Sequence, residues 1–445
     1  MEGTAVLQSP WATSPPVAAP ETSLQKAPSF RLVGLYLGTG ILFFTVLCLL
    51  LFLHSADIQG DFFQGKLLAL THLAVLGWVS MVIFGALFQF IPVVFGTQLV
   101  SERLAFLQYG LYVPGLLGMV VSFWFFKLGW PLLASASLVA LSILLFAGNL
   151  TATLLRSKGR SLTSLFIATG LFYLVLTALL GYTLAVNLAF PFIIRRDHLD
   201  ILKIHAHWGM AGWVGMVIMG AALKLFPMFS LAHGFSTAPA KWAYGFCNAG
   251  LWGLALGWWL HSDSLLLTAA LGLATGTGCY LYQIHLMHRT RFRRILDPGL
   301  RFSFSSFFPL GLAAVLGLAL RFPGLPEELR AGWILTYASV LILGVFSMII
   351  IGMLYKIIPF LVWFHTFAGK VGLKPVPLLK DLYSEKAGNS QFWLMIFSLP
   401  IFWMGILLNL ALLRQAGSLG LLLSALLFGW NMASVFRWRF SHGNP

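Results

Sequence analysis

Three stretches decide the fold: HLAVLGWVSMVIFGALFQFIP (72–92), HWGMAGWVGMVIMGAALKLFP (207–227) and SVLILGVFSMIIIGMLYKIIP (339–359). They align without a gap. The first two share His72/His207, Gly77/Gly212, Trp78/Trp213, Met81/Met216, Gly85/Gly220 and Pro92/Pro227. The third keeps Gly344, Met348, Gly352 and Pro359, with Ser339 and Val345 at the remaining two positions. The prolines lie 135 and then 132 residues apart. Self-similarity at a long, fixed period marks a fold made of repeated units. Each stretch is apolar almost throughout and lacks strand-like alternation, which reads as a membrane helix.

The rest of the chain fits that reading. Of 445 residues, 59% are hydrophobic and 9% charged, with a mean hydropathy of +0.88. Soluble domains carry about 25% charged residues. Long apolar runs without alternation span lipid as helices and exclude a β-barrel. Twelve such segments are expected, roughly 31–54, 66–95, 105–127, 130–155, 162–189, 204–230, 241–260, 264–286, 302–321, 331–362, 391–413 and 418–436. Each is long enough to cross about 30 Å of hydrocarbon at 1.5 Å per residue. The expected fold is an all-α integral membrane protein of twelve transmembrane helices. They form three pseudo-threefold-related four-helix units (about 31–155, 162–286 and 302–436) within one membrane domain, 29–440. Most secondary transporters show inverted or twofold repeats instead. Residues 1–28, rich in Pro, Ala, Ser and Thr, read as a disordered tail without the order of a signal peptide.

The net charge of +15 follows topology. With both termini cytoplasmic, 20 of the 28 Lys and Arg fall on the inner side, as the positive-inside rule requires. The densest patch, Arg289, Arg291, Arg293, Arg294 and Arg301, is read as a topology anchor, and no nucleic acid partner is expected. Cys48, Cys247 and Cys279 sit in apolar stretches. There is no C-x-x-C-H for covalent heme and no zinc-type cluster.

Eleven histidines carry the chemistry. His72 and His207 occupy one repeat position, hence one depth, about two turns in from the outer face. Neutral imidazole is a good ligand for heme iron. Two imidazoles at equal depth on neighbouring helices suit a six-coordinate b-type heme, or else two hydrogen-bonded structural histidines. His205 is two residues from His207, so the pair points roughly 200° apart on a helix. His205 is a candidate ligand for a second heme or a copper ion, or a headgroup-level hydrogen-bonding residue. His261 is a further candidate beside it, and His54 a weaker one. Arg195 and Arg196 run against the charge bias. They suit bidentate pairing with heme propionates, or with Asp197, Asp200 or lipid phosphate.

These residues resemble the heme-copper oxidase subunit I superfamily, in its cbb-type oxidase and nitric oxide reductase branch. That family has twelve helices in three four-helix arcs. The stretch from His72 to Pro92 and Gly96 looks like its second helix, which carries a low-spin heme ligand. HAHWGMAGWVGMVIMGAALKLFPMF (205–229) resembles its tenth helix, where an H-x-H step serves two hemes. The resemblance implies that His207 shares a low-spin heme with His72 and that His205 binds the second metal site. It also implies a bacterial cytoplasmic membrane, respiratory partner subunits or a periplasmic electron donor, and an oxidoreductase acting on oxygen or nitric oxide. The pattern is also similar to the NnrS-like heme- and copper-containing membrane proteins. The chain departs from the family in three ways. The H-x-H step sits on the sixth helix; the tenth has Tyr337 and Ser339 there; and the seventh has no His-His pair for copper. An incomplete or altered binuclear centre is therefore expected.

No Asp or Glu lies mid-membrane, which argues against proton pumping. Lys224 and Lys356 share a repeat position with Gln89, near the inner end, and are expected to snorkel to the surface. The competing reading is a sensor, transporter or structural subunit that reuses the scaffold without redox chemistry.

Overall fold

The computed structural model describes residues 26–58, 63–157, 159–191, 198–321 and 324–442. The helices are α1 (Phe30–Leu53), α2 (Gly65–Phe95), α3 (Glu102–Trp124), α4 (Trp130–Leu155), α5 (Leu162–Ala189), α6 (His198–Ser230), α7 (Ala238–Leu260), α8 (Asp263–Arg289), α9 (Pro298–Ala319), α10 (Glu328–Lys370), α11 (Glu385–Leu407) and α12 (Ala411–Ser441). Eleven are long and apolar enough to cross a membrane. The exception is α7, whose 23 residues include four tryptophans and four glycines that lower its mean hydropathy. The chain is an all-helical integral membrane protein, and the expectation of twelve spans is met on length and composition for eleven. Most of the expected tail lies outside the described residues.

Helix starts are set by short polar side chains that accept from orphan backbone N–H groups. Ser101, Ser161, Ser262, Asp297 and Ser384 cap α3, α5, α8, α9 and α11 in this way. Burial then sorts the helices. The most apolar windows of α2 and α10 are 78% and 72% buried, against 22% for α8. So α2 and α10 are central, while α8 turns its apolar side chains outward, as a lipid-facing helix does.

The repeat is visible in the backbone. Eight-residue wide-turn (π) segments interrupt α2 at Leu73–Ser80, α6 at Trp208–Gly215 and α10 at Val340–Ser347. Their starts keep the 135- and 132-residue spacing of the prolines. π turns are rare and cluster at functional sites. One glycine position recurs as a close approach. A Cβ on Gly85 would meet the Tyr36 Cβ at 2.7 Å, and one on Gly220 the Phe166 Cβ at 2.6 Å. Gly352 lies as tightly against Gly299 and Ser303. In each unit the second helix therefore packs on the first through the same missing side chain.

Two hydrogen bonds tie these helices together. The Trp213 indole donates to Ser80 Oγ at 3.0 Å, and the Trp78 indole to Ser347 Oγ at 2.9 Å. Trp78 and Trp213 are repeat equivalents, as are Ser80 and Ser347. The third equivalent pair, Val345 and Gly215, has no side-chain donor or acceptor.

The helix ends differ in one respect. α2 stops at Gly96 (φ +61) and α6 at Leu231 (φ +56), both left-handed. α10 runs on past Pro359.

A double-mutant cycle on Trp78→Phe and Ser347→Ala is expected to give a coupling energy of about 0.5–1.5 kcal/mol in detergent unfolding. A coupling indistinguishable from zero would remove this bond from the account.

Candidate functional site

The site begins where α2 and α6 change pitch. His72 and His207 are each the last residue before a π segment. Each ring turns back along its own helix. His72 Nδ1 lies 2.8 Å from the Leu68 carbonyl, and His207 Nδ1 lies 2.8 Å from the Lys203 carbonyl. His205 reaches across to α5, with its Nδ1 3.0 Å from the Thr177 carbonyl. A carbonyl oxygen can only accept, so all three rings carry their proton on Nδ1. Each Nε2 is left as a bare lone pair with no protein partner among the described residues. Metal-binding histidines are held this way, with the second nitrogen anchored on a carbonyl.

His72 and His205 face one cavity, enclosed by α2, α3, α4, α5 and α6. Its cavity volume is about 180 Å³. The walls are apolar, among them Leu76, Met119, Ile143, Leu174 and Met210. Phe123 stacks on the His72 ring at 4.8 Å between centroids. Gly181 makes room for His205, since a Cβ there would lie 2.7 Å from His205 Cε1. Thr177 also lines the cavity, and its Oγ1 is buried without a hydrogen-bond partner among the described residues.

His207 is not in this cavity. Its ring lies 4.9 Å from Trp258 on α7 and is stacked at 6.3 Å on Tyr337 of α10. The expected pairing of His72 with His207 is therefore not the one the geometry brings together; His72 shares its cavity with His205. His72 points from α2 toward α6, and His207 points from α6 toward α10. The residue of α6 that looks back at His72 is two positions earlier, about 200° round the helix.

The other candidates lie at the end of the bundle onto which the cavity opens. His261 Nδ1 is 3.3 Å from Asp200 Oδ2, with its side chain 67% exposed, and Asp200 also pairs with Lys203 at 2.9 Å. His261 thus joins a rim ion cluster and not His205. His54 sits 3.2 Å from Asp57, which pairs with Lys66 at 2.6 Å. The Lys66 hydrogen bond holds the Asp57 carboxyl below the usual carboxylate range. Arg195 and Arg196 lie outside the described residues. Among the described residues, no group of three or more His, Cys, Asp or Glu side chains converges as a metal site. At the opposite end of the bundle, Lys356 does not extend to the surface as a snorkelling lysine would. It is paired with Asp297, and its side chain is 12% exposed. Lys224 is exposed.

Sequence reasoning missed Thr177 and Gly181, both on α5. Neither belongs to the repeated motif, and the signal available was only a glycine within an apolar helix. Gly181→Ala is expected to destabilise the protein by about 1–3 kcal/mol through overpacking against His205. Gly110→Ala, where a Cβ meets nothing within 4 Å, is expected to be neutral or stabilising. Thermal unfolding of the two variants side by side checks this, and equal effects would contradict it. No protein-family model matches the sequence, and no curated protein matches it at a significant level.

Proposed function

We propose that this protein is a membrane-bound b-type heme protein, with its heme between α2 and α6 near the outer face, ligated by His72 and His205. The observation that carries the reading is the pair of buried imidazoles facing one apolar cavity, each with Nδ1 anchored on a backbone carbonyl. The donor set fits a heme iron, because both free Nε2 atoms are neutral and unprotonated. A heme held there by both imidazoles would supply one-electron transfer chemistry; binding of a diatomic gas such as oxygen or nitric oxide would require one of the two histidines to leave the iron.

The chain's own residues do the rest. The Leu68 and Thr177 carbonyls fix the tautomers and raise the basicity of each Nε2. Phe123 and Gly181 set the ring planes. The apolar walls exclude water. Arg195 and Arg196 precede in sequence His198, which lines the cavity, and on this reading they are the candidates to pair with propionates. On this reading α7 is the twelfth span and the helices form three four-helix arcs. The recurring π segments and the two Trp–Ser bonds support that arrangement. The 20-to-8 bias of basic residues supports cytoplasmic termini. His207, opposite Tyr337, takes over the role of candidate ligand for any second heme. A copper centre at His205 and His261 is not part of the proposal.

A reduced-minus-oxidised spectrum with pyridine-hemochrome quantitation tests this. The expected result is one low-spin b heme per chain, lost from His72→Ala and from His205→Ala but retained by His207→Ala. Purification without heme would overturn the reading and favour a non-redox use of the scaffold. Loss from His207→Ala with retention by His205→Ala would overturn the ligand assignment.

A further inference from the structure

The heme reading leaves unused the end of the bundle that carries the arginine patch. There α6 ends in a way its sequence disfavours. In α2 the left-handed stop is Gly96, and the amide of Thr97 donates to the Pro92 carbonyl at 3.1 Å. In α6 the same stop is made by Leu231, and the amide of Ala232 donates to the Pro227 carbonyl at 3.1 Å. A leucine at φ +56 is strained, because its Cβ crowds the backbone. Packing inside the protein does not account for it, since Leu231 is 57% exposed.

A second loop lies against it. Phe292 N donates to Leu231 O at 3.3 Å and Arg293 N to Ser230 O at 3.1 Å. This pins residues 291–293 beside the end of α6. Phe292 is 75% exposed and Ile295 85% exposed, and Met228 adds a further exposed side chain. Between and beside them stand cations. Arg293 pairs with Asp297 at 3.0 Å. Arg289 and Arg294 are exposed and have no ion-pair or hydrogen-bond partner among the described residues.

We propose that these two loops, residues 228–233 and 289–295, bind an anionic phospholipid. Leu231, Phe292 and Ile295 enter the acyl region at the membrane interface, and Arg289 and Arg294 hold the headgroup phosphate. Apolar side chains this exposed need an apolar medium. Unpaired arginines beside them need an anion. A phospholipid supplies both in one molecule, whereas a nucleic acid or an acidic protein supplies only the second. The strained leucine is kept because glycine would leave the anchor without a side chain. The proposal stands independently of the heme.

The test is native mass spectrometry of the full chain, purified in detergent with equal phosphatidylglycerol and phosphatidylcholine. Wild type is expected to retain phosphatidylglycerol preferentially, and less of it as salt rises. Arg289→Gln with Arg294→Gln is expected to weaken retention by about fivefold per arginine. Leu231→Gly is expected to lower retention while raising thermal stability in lipid-free detergent, because strain is relieved. Equal retention of the two lipids would overturn the proposal, as would wild-type retention by the double variant. A Leu231→Gly protein less stable than wild type would also overturn it, by making Leu231 a packing residue.

Discussion

In hydrocarbon a buried donor has no water to fall back on, so a polar group at the centre of a bundle must find a protein partner. Trp78 and Trp213 are buried to within 1% of full burial, and each indole N–H finds a serine on the neighbouring central helix. The rest of the structure hangs on this arrangement. It fixes α2 against α6 and α10 at one depth, and so fixes where the π segments and the residues before them lie. At the third corner, Val345 and Gly215 replace donor and acceptor together. Losing both partners of a buried bond costs little, whereas losing one strands the other. The paired replacement follows that rule.

From this centre the directions of the histidines follow. A residue at the position of His72 points from its own helix toward the next repeat, and the residue two places earlier points back toward the previous one. The cleft between α2 and α6 accordingly holds His72 and His205. The cleft between α6 and α10 holds His207 and Tyr337. The H-A-H step is then one helix serving two clefts. The anchored Nδ1 atoms make each imidazole a prepared base whether or not its cleft is filled.

Much of this was legible in the sequence, and the limits have physical causes. Some helix borders came out close: 31–54 was expected and Phe30–Leu53 is found, and 162–189 was expected and Leu162–Ala189 is found. Others moved by more than a turn, as where 391–413 was expected and Glu385–Leu407 is found, or 418–436 and Ala411–His442. Long apolar runs leave little freedom in where a membrane helix begins. The repeat was legible because glycine, tryptophan and proline at fixed offsets are each demanded by packing. The facing of His72 and His207 was not legible. Equal repeat position suggests equal depth, but the direction of a side chain depends on which helices pack on each side of its own, which a linear alignment does not carry. The partner of Lys356 was missed because Asp297 is 59 residues away and meets it only through the packing of α9 on α10. Thr177 and Gly181 were missed because their roles come from the neighbouring helix and not from any motif of their own.

The most direct measurement is low-temperature electron paramagnetic resonance of the oxidised, purified protein, with iron quantified on the same sample. The account predicts a low-spin ferric heme signal with two imidazole axial ligands, stoichiometric with the chain. A sample without heme iron, or one with only a high-spin ferric signal, would contradict it.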